Sequence, residues 1–324
     1  MVGLDGFARV PLGHFPTPLE PCHRLQATAG GPLVWLKRDD CSGLAFGGNK
    51  TRKLEFLLGE AVAQGASGVV TFGAVQSNHA RQTAAACAAV GLACDLVLTE
   101  AVDRPTVPYR QSGNRLLDDV LGATVHVVAD SEAAVIKAGE LADADPGRYF
   151  IDPGGSSPVG TLGYVAMVGE MAGQLRELGV SPTRIVTAAS TGGTAAGLML
   201  GSAVNGIDVE VLAAAVYDTA EATRAAIDDL IGRTALLLDE PMDGAASLRV
   251  DDSFLGAGYG IVTPDSQAAI DGLARTEGVL LDPVYTAKAF ALLLSQLQQW
   301  DPDGDVVFVH TGGQPGLFAY ADEF

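Results

Sequence analysis

Lys50 follows two glycines and an asparagine, Gly47-Gly48-Asn49-Lys50, and leads directly into Thr51-Arg52-Lys53. The helical spacing of Leu54, Leu57, Leu58, Ala61 and Val62 puts this lysine at the start of a helix that Gly65 ends. There the positive end of the helix dipole and two neighbouring cations lower the cost of keeping an amine neutral. A neutral amine is the form that attacks an aldehyde, so the position suits a Schiff-base lysine. Basic side chains at a helix start are also unfavourable unless an anion offsets them. Standing alone, the run reads more readily as a solvated Lys/Arg cluster. Lys37 is the rival amine, on a strand whose alternation can bury its stem without any reason for aldehyde capture.

Ser190-Thr191-Gly192-Gly193-Thr194 lies between an apolar strand and a small-residue helix, Ala195 to Val204. Several backbone N–H groups and a helix N-terminus would converge there, which suits a phosphate, although a tight turn needing glycine reads the same way. Two nucleotide motifs fail. In Gly43-Leu44-Ala45-Phe46-Gly47-Gly48-Asn49-Lys50-Thr51 the asparagine puts the lysine out of P-loop register, and in Gly256-Ala257-Gly258-Tyr259-Gly260 isoleucine follows where a dinucleotide fingerprint needs glycine. Ser77, in Gln76-Ser77-Asn78-His79, is a good helix N-cap, and the N–H groups after it could clamp a carboxylate. Ser77 and His79 are two apart on a helix and cannot form a hydrolase dyad. His79 and His126 read most simply as packing or surface residues. Tyr259 and Tyr285 fit either core aromatics or phenols that reach a ligand as acid/base partners.

These groups need a scaffold, and the chain supplies an α/β pattern with largely parallel sheets. Strands are expected at 34–37, 69–72, 96–98, 125–128, 185–188, 211–214 and 306–309. Helices are expected from Lys50, from Ser77 to Gly91, up to Leu121, from after Gly155 to about Leu178, and near 220–231, 264–277 and 285–298. At 324 residues, two lobes with a ligand cleft between them are the natural expectation. The formal net charge of −19 opposes a nucleic-acid partner, while a small anion can still be held by local N–H groups. Cys22, Cys41, Cys87 and Cys94 have no zinc spacing and read as buried free thiols, so no metal is expected. The Met1-Val2-Gly3-Leu4-Asp5 start lacks a secretory pattern and no apolar run is long enough for a bilayer, which together imply a cytoplasmic protein and no membrane partner.

Asn49-Lys50-Thr51-Arg52-Lys53, Gln76-Ser77-Asn78-His79, the 190–194 loop, Gly256-Ala257-Gly258-Tyr259-Gly260, Asp282-Pro283-Val284-Tyr285-Thr286 and His310-Thr311-Gly312-Gly313 together resemble the D-cysteine desulfhydrase / 1-aminocyclopropane-1-carboxylate (ACC) deaminase family. The likeness runs from Pro16-Thr17-Pro18-Leu19 to Phe318. It implies a pyridoxal 5′-phosphate (PLP) enzyme of the tryptophan-synthase β-like fold, fold type II: a two-lobed, three-layer α/β/α protein. Residues 1–50 and 160–324 would form a large cofactor-binding domain and 51–159 a small β/α domain. Lys50 would carry the cofactor as a Schiff base. Lys53 with Thr191, Gly192, Gly193 and Thr194 would hold its phosphate, Asn78 its 3-hydroxyl, and Thr311 its pyridine nitrogen. Ser77, Asn78, His79, Tyr259, Tyr285 and Thr286 would contact a small amino-acid substrate, with Ser77 either a binder or a nucleophile. A homodimer is implied as well.

ACC deaminases carry glutamate where this chain has Thr286 and leucine where it has Thr311. A neutral hydroxyl at the pyridine nitrogen makes a weaker electron sink, which favours prompt expulsion of a β leaving group over ring opening. Lys50 or a tyrosine would then remove the α-proton, and D-cysteine would give pyruvate, ammonia and sulfide. ACC, L-cysteate and cysteine conjugates are the alternative substrates. A non-catalytic two-lobed ligand-binding protein is the alternative of another class.

Overall fold

The computed structural model describes residues 3–239 and 244–324. Met1 and Val2, part of the start from which no leader was expected, lie outside the described residues. The strands are β1 (Leu19–Pro21), β2 (Val34–Lys37), β3 (Gly68–Ala74), β4 (Ala93–Thr99), β5 (Thr124–Val128), β6 (Arg148–Ile151), β7 (Arg184–Ala189), β8 (Glu210–Ala215), β9 (Ser247–Asp251) and β10 (Val306–Val309). They form a six-stranded sheet in the order β1-β2-β10-β7-β8-β9 and a four-stranded sheet in the order β5-β4-β3-β6. Among the named strands of the described residues, only the β1–β2 pairing is antiparallel. Parallel sheets are covered on both faces, so central strands such as Val306-Val307-Phe308-Val309 are apolar at every position and wholly buried.

The helices are α1 (His23–Ala29), α2 (Asn49–Ala63), α3 (Asn78–Val90), α4 (Val107–Gln111), α5 (Gly113–Val120), α6 (Ser131–Ala144), α7 (Pro158–Leu178), α8 (Gly193–Asn205), α9 (Ala220–Leu238), α10 (Pro264–Glu277), α11 (Thr286–Leu297) and α12 (Pro315–Ala319). The fold is the expected mixed α/β architecture. All of the four-stranded sheet comes from residues 68–151, while β2 and β10, from opposite ends of the chain, pair in the other sheet. Helix α2 serves both: Leu54, Leu57 and Leu58 pack with Val69, Ala80 and Leu96 of the small sheet's core, and its backbone at Arg52 lies against Gly163 of α7.

Small residues set the distances between the elements that carry the site. A side chain at Gly163 would run into the α2 backbone, and one at Gly197 or Gly201 of α8 would run into Tyr164 or Val168 of α7. The three helices are thereby pressed together, bringing the start of α2 near the start of α8. A buried ionic network locks this arrangement. Arg52 bonds both Asp39 oxygens at 2.8 Å and Glu170 at 3.0 Å, while Lys37 bonds Glu170, Gln174 and the Thr17 carbonyl. Burial works against the Asp39 charge, yet Arg52 beside it holds the carboxyl below its ordinary range. Lys37 is thus committed to structure.

Several local expectations change. Helix α9 extends to Leu238, beyond the expected end at 231, because Leu230, Thr234 and Ala235 continue its buried stripe. The helix expected up to Leu121 is broken into α4 and α5 at Ser112-Gly113, where Gly113 has φ +59°. Cys41 is exposed, whereas the other three cysteines are buried as expected. No helix among the described residues is long and apolar enough to cross a membrane.

Candidate active site

A cavity of about 710 Å³ opens where the carboxyl ends of β3, β7, β8 and β10 give way to loops. This is the part of a parallel α/β sheet at which ligands characteristically bind. Its wall includes Asn49, Lys50, Lys53, Ser77, Asn78, His79, Thr191, Gly192, Gly193, Thr194, Tyr259, Tyr285 and Thr311, so residues from six separated motifs meet in one place.

Lys50 makes no hydrogen bond or ion pair among the described residues, and burial brings its amine down to about 8. A substantial neutral fraction at physiological pH is the state that adds to an aldehyde. Lys53 is also buried, with partners that are neutral: the Gly154 carbonyl and Ser156 Oγ, both at 3.1 Å. Burial, reinforced by the charge on Lys50, holds its amine well below the ordinary value. An anion would relieve that penalty. The surroundings fit one: Ser156 Oγ lies 2.6 Å from Thr191 Oγ1 and accepts from the Gly193 N–H at 3.3 Å, Gly192 has φ +84°, and α8 starts there. A Cβ on Gly193 would come within 2.7 Å of both Lys53 Nζ and Ser156 Oγ, so the absent side chain leaves the cradle open. Asn49 Nδ2 donates to Thr194 Oγ1 at 3.0 Å, joining the lysine turn to this loop.

On the side of the four-stranded sheet Ser77 caps α3, its Oγ accepting from the Ala80 N–H at 3.1 Å while its own hydroxyl proton remains available. Asn78 Oδ1 accepts from Asn114 Nδ2 at 2.8 Å, leaving the Asn78 amide free to donate. His79 Nε2 lies 2.8 Å from Thr71 Oγ1, which itself donates to the Ile151 carbonyl. Nε2 therefore carries the imidazole proton, and Nδ1 is buried without a partner among the described residues. Burial, then the charges of Lys50 and Lys53, keep this ring neutral. His126 belongs elsewhere, 3.1 Å from Asp95.

Tyr259 and Tyr285 share a hydrogen bond between their hydroxyls, with ring centroids 5.9 Å apart. Burial raises both phenols, so both are protonated at neutral pH. Thr311 also lines the cavity; its carbonyl accepts from the Asn49 N–H at 3.0 Å and its hydroxyl has no partner among the described residues. Thr286 is a correction. It is fully buried beneath the wall, its hydroxyl 2.7 Å from Asp282 Oδ1, so it does not reach the cavity as a substrate contact. Asp282 also accepts from the N–H groups of Val284, Tyr285 and Thr286, making the turn that aims Tyr285.

Sequence reasoning missed Ser156, Gly154 and Tyr217. Ser156 follows the Asp152-Pro153-Gly154-Gly155 turn, a signal that could have marked it. Tyr217 lies two residues past the end of β8 and stacks edge-on against Tyr259, ring centroids 5.1 Å apart.

An addressable amine, a cradle for one phosphate and a set of protonated phenols at the ends of parallel strands define an α/β enzyme that captures a phosphorylated aldehyde. The chain belongs to the pyridoxal-phosphate dependent enzyme family, whose profile matches residues 10–312. It is similar to a Pyrococcus abyssi protein named as a candidate 1-aminocyclopropane-1-carboxylate deaminase, 40% identical over 327 residues that span 99% of this chain and 96% of that one. It is also similar to the D-cysteine desulfhydrase of Salmonella paratyphi A, 38% identical over 98% of this chain and 97% of the relative. A crystal structure of an ACC deaminase homologue superposes with a TM-score of 0.89 at 38% identity, covering 99% of this chain and 96% of that one.

Proposed function

We propose that the enzyme eliminates the β substituent of a small amino acid, converting D-cysteine and water to pyruvate, ammonia and hydrogen sulfide. The cofactor, when bound, supplies an electron sink for charge developing at the substrate α-carbon. Lys50 would hold it covalently, Lys53, Ser156 and the Thr191–Thr194 loop would hold its phosphate, the Asn78 amide its 3-hydroxyl, and the Thr311 hydroxyl its pyridine nitrogen. Ser77 and the N–H groups that open α3 would bind the substrate carboxylate. The Lys50 amine, when neutral, would take the α-proton. The Cβ–S bond breaks with the electron pair leaving on sulfur, and a phenol of the Tyr259–Tyr285 pair protonates the departing thiolate. The released enamine then hydrolyses to pyruvate and ammonia.

The observation that carries this reading is the protonated phenol pair in the same cavity as the Lys50 amine: one group able to take a proton, another able to give one. The test is product formation from a panel of D-cysteine, L-cysteine and ACC. Pyruvate from D-cysteine is expected to form fastest; 2-oxobutyrate from ACC forming faster than pyruvate from either cysteine would overturn the assignment.

One observation favours a larger relative of this substrate. The cavity continues from the catalytic groups past the Phe72–Phe150 pair, whose rings meet edge-on at 5.1 Å, and along Ala134, Ala138 and Ala142 of α6. That apolar extension suits a substituent on sulfur, and adding S-benzyl-cysteine to the panel tests it. The proposal also includes the division into a large domain of residues 1–50 and 160–324 and a small one of 51–159. It further includes a cytoplasmic homodimer, for which the supporting observation is the motif resemblance and sedimentation is the check.

A further inference from the structure

Lys288 is fully buried in α11, and its ammonium is hydrogen-bonded to main-chain carbonyls, Leu255 O at 2.7 Å and Gly258 O at 3.0 Å. It has no ion pair with a carboxylate among the described residues. A buried ammonium held only by carbonyls is a poor source of stability, since an apolar side chain of similar volume would avoid the desolvation cost. What it contacts is informative. The Leu255–Gly258 turn lies in the irregular stretch between β9 and α10, where Gly256, Gly258 and Gly260 all have positive φ. Such a stretch has no ladder to define its path, and it carries Tyr259.

The connections close a ring. Tyr285 stands at the N-cap of α11, Lys288 lies one turn into the same helix, its ammonium holds the turn before Tyr259, and the Tyr259 hydroxyl returns to the Tyr285 hydroxyl. Among the described residues one more side-chain hydrogen bond reaches this stretch's backbone, Tyr320 Oη donating to the Gly260 carbonyl at 2.9 Å after Tyr259. On the approach from Leu255 the side-chain donor is Lys288, beside main-chain bonds from the Leu255 N–H to Asp252 O at 2.9 Å and from the Ile261 N–H to Gly258 O at 3.3 Å.

We propose that Lys288 is a positioning residue for the reaction: by holding the Leu255 and Gly258 carbonyls it fixes Tyr259 against Tyr285 and so places the phenol that delivers the proton. The proposal rests on the reading of the tyrosine pair as the acid. Misplacement of a catalytic group by an ångström costs on the order of 100-fold, so Lys288→Met in the holoenzyme lowers kcat for D-cysteine by about 10- to 100-fold while KM changes by less than about threefold. Lys288→Gln, which keeps an amide donor, retains an intermediate kcat.

The decisive comparison is with Tyr259→Phe. Once the phenol is gone its placement no longer matters, so adding Lys288→Met to Tyr259→Phe lowers kcat by less than about twofold further. A Tyr259→Phe enzyme with full activity sinks the tyrosine-acid reading itself. An impaired Tyr259→Phe enzyme that loses as much again on adding Lys288→Met leaves that reading standing and overturns the positioning role. Amide hydrogen exchange over residues 255–260 gives a readout independent of turnover. It is expected to accelerate in the Met variant, or in the Gln variant should the Met variant fail to fold, and unchanged exchange overturns the proposal.

Discussion

Two lysines start from similar sequence prospects and end in opposite states. Lys37 is drawn into a network with Glu170, Gln174 and Thr17, where its amine is fully engaged. Lys50 is left without a partner among the described residues and its amine falls to about 8 through burial. Availability, more than basicity, separates the two. Lys50→Ala is therefore expected to abolish the absorbance band of lysine-bound cofactor and lower turnover by about 1,000-fold or more. Lys37→Ala would act on stability by leaving Glu170 short of a partner. Retention of cofactor by Lys50→Ala after borohydride reduction would reassign the attachment site. The depressed amine also fixes a sign: its reactive neutral form increases as pH rises. Capture of the cofactor by apoenzyme should thus accelerate up to about pH 8 and level off above it, as stopped-flow absorbance can follow.

At the scale of elements, the cradle proposed for the phosphate is a property of α2 and α8 held against α7, more than of any one glycine. Gly193 joins these levels. Its backbone has no positive-φ requirement, so a side chain there strains nothing locally, yet its Cβ meets Lys53 Nζ and Ser156 Oγ. Gly193→Val is expected to weaken cofactor binding by about tenfold or more, equivalent to ~1.4 kcal/mol, while the apoenzyme remains folded, with a melting temperature lowered by the contact with Ser156. Equal affinity by titration of cofactor into apoenzyme would move the phosphate elsewhere. Much of this element layer was legible in the sequence because strands buried on both faces must be largely apolar, as β10 and the Val211–Ala215 run of β8 are. Strand β6 reads Arg-Tyr-Phe-Ile and β9 reads Ser-Leu-Arg-Val-Asp, edge strands whose mixed faces carry no such signal. Lys50, Ser77 and the Thr191–Thr194 loop were legible because local turn and cap chemistry marks them. Ser156 had only the turn before it as a signal, and Tyr217 and Lys288 had none, because each takes its proposed part only through a contact with a distant segment. Thr286 failed for the complementary reason: its motif position was clear, but Asp282 takes its hydroxyl inward.

For the molecule as a whole, function and stability use buried polar groups differently. Apart from His79 Nδ1, the site's buried groups named above are partnered or line the cavity, whereas Asp118 of α5 is buried with neither carboxylate oxygen hydrogen-bonded among the described residues. Arg81, a nearby cation, spends its guanidinium on Asn114 and on the Ala45 and Gly47 carbonyls. Burial raises the Asp118 carboxyl from 3.8 to about 8, with Arg115 and Arg81 only partly opposing the rise. Between those values the native chain keeps a proton that the unfolded chain has released, so the contribution of this residue to stability falls as pH increases. Below the lower value both states are protonated and the penalty vanishes; above the upper one both are ionised and it is complete. Asp118→Asn removes the titration while keeping the shape. Its melting temperature relative to the native protein should be nearly unchanged at pH 4 and higher at pH 8, with the gap widening steadily between, as calorimetry across that range can measure. A difference independent of pH would mean that Asp118 is ionised and paired in the native state throughout, and that the missing partner lies in a rearrangement around α5.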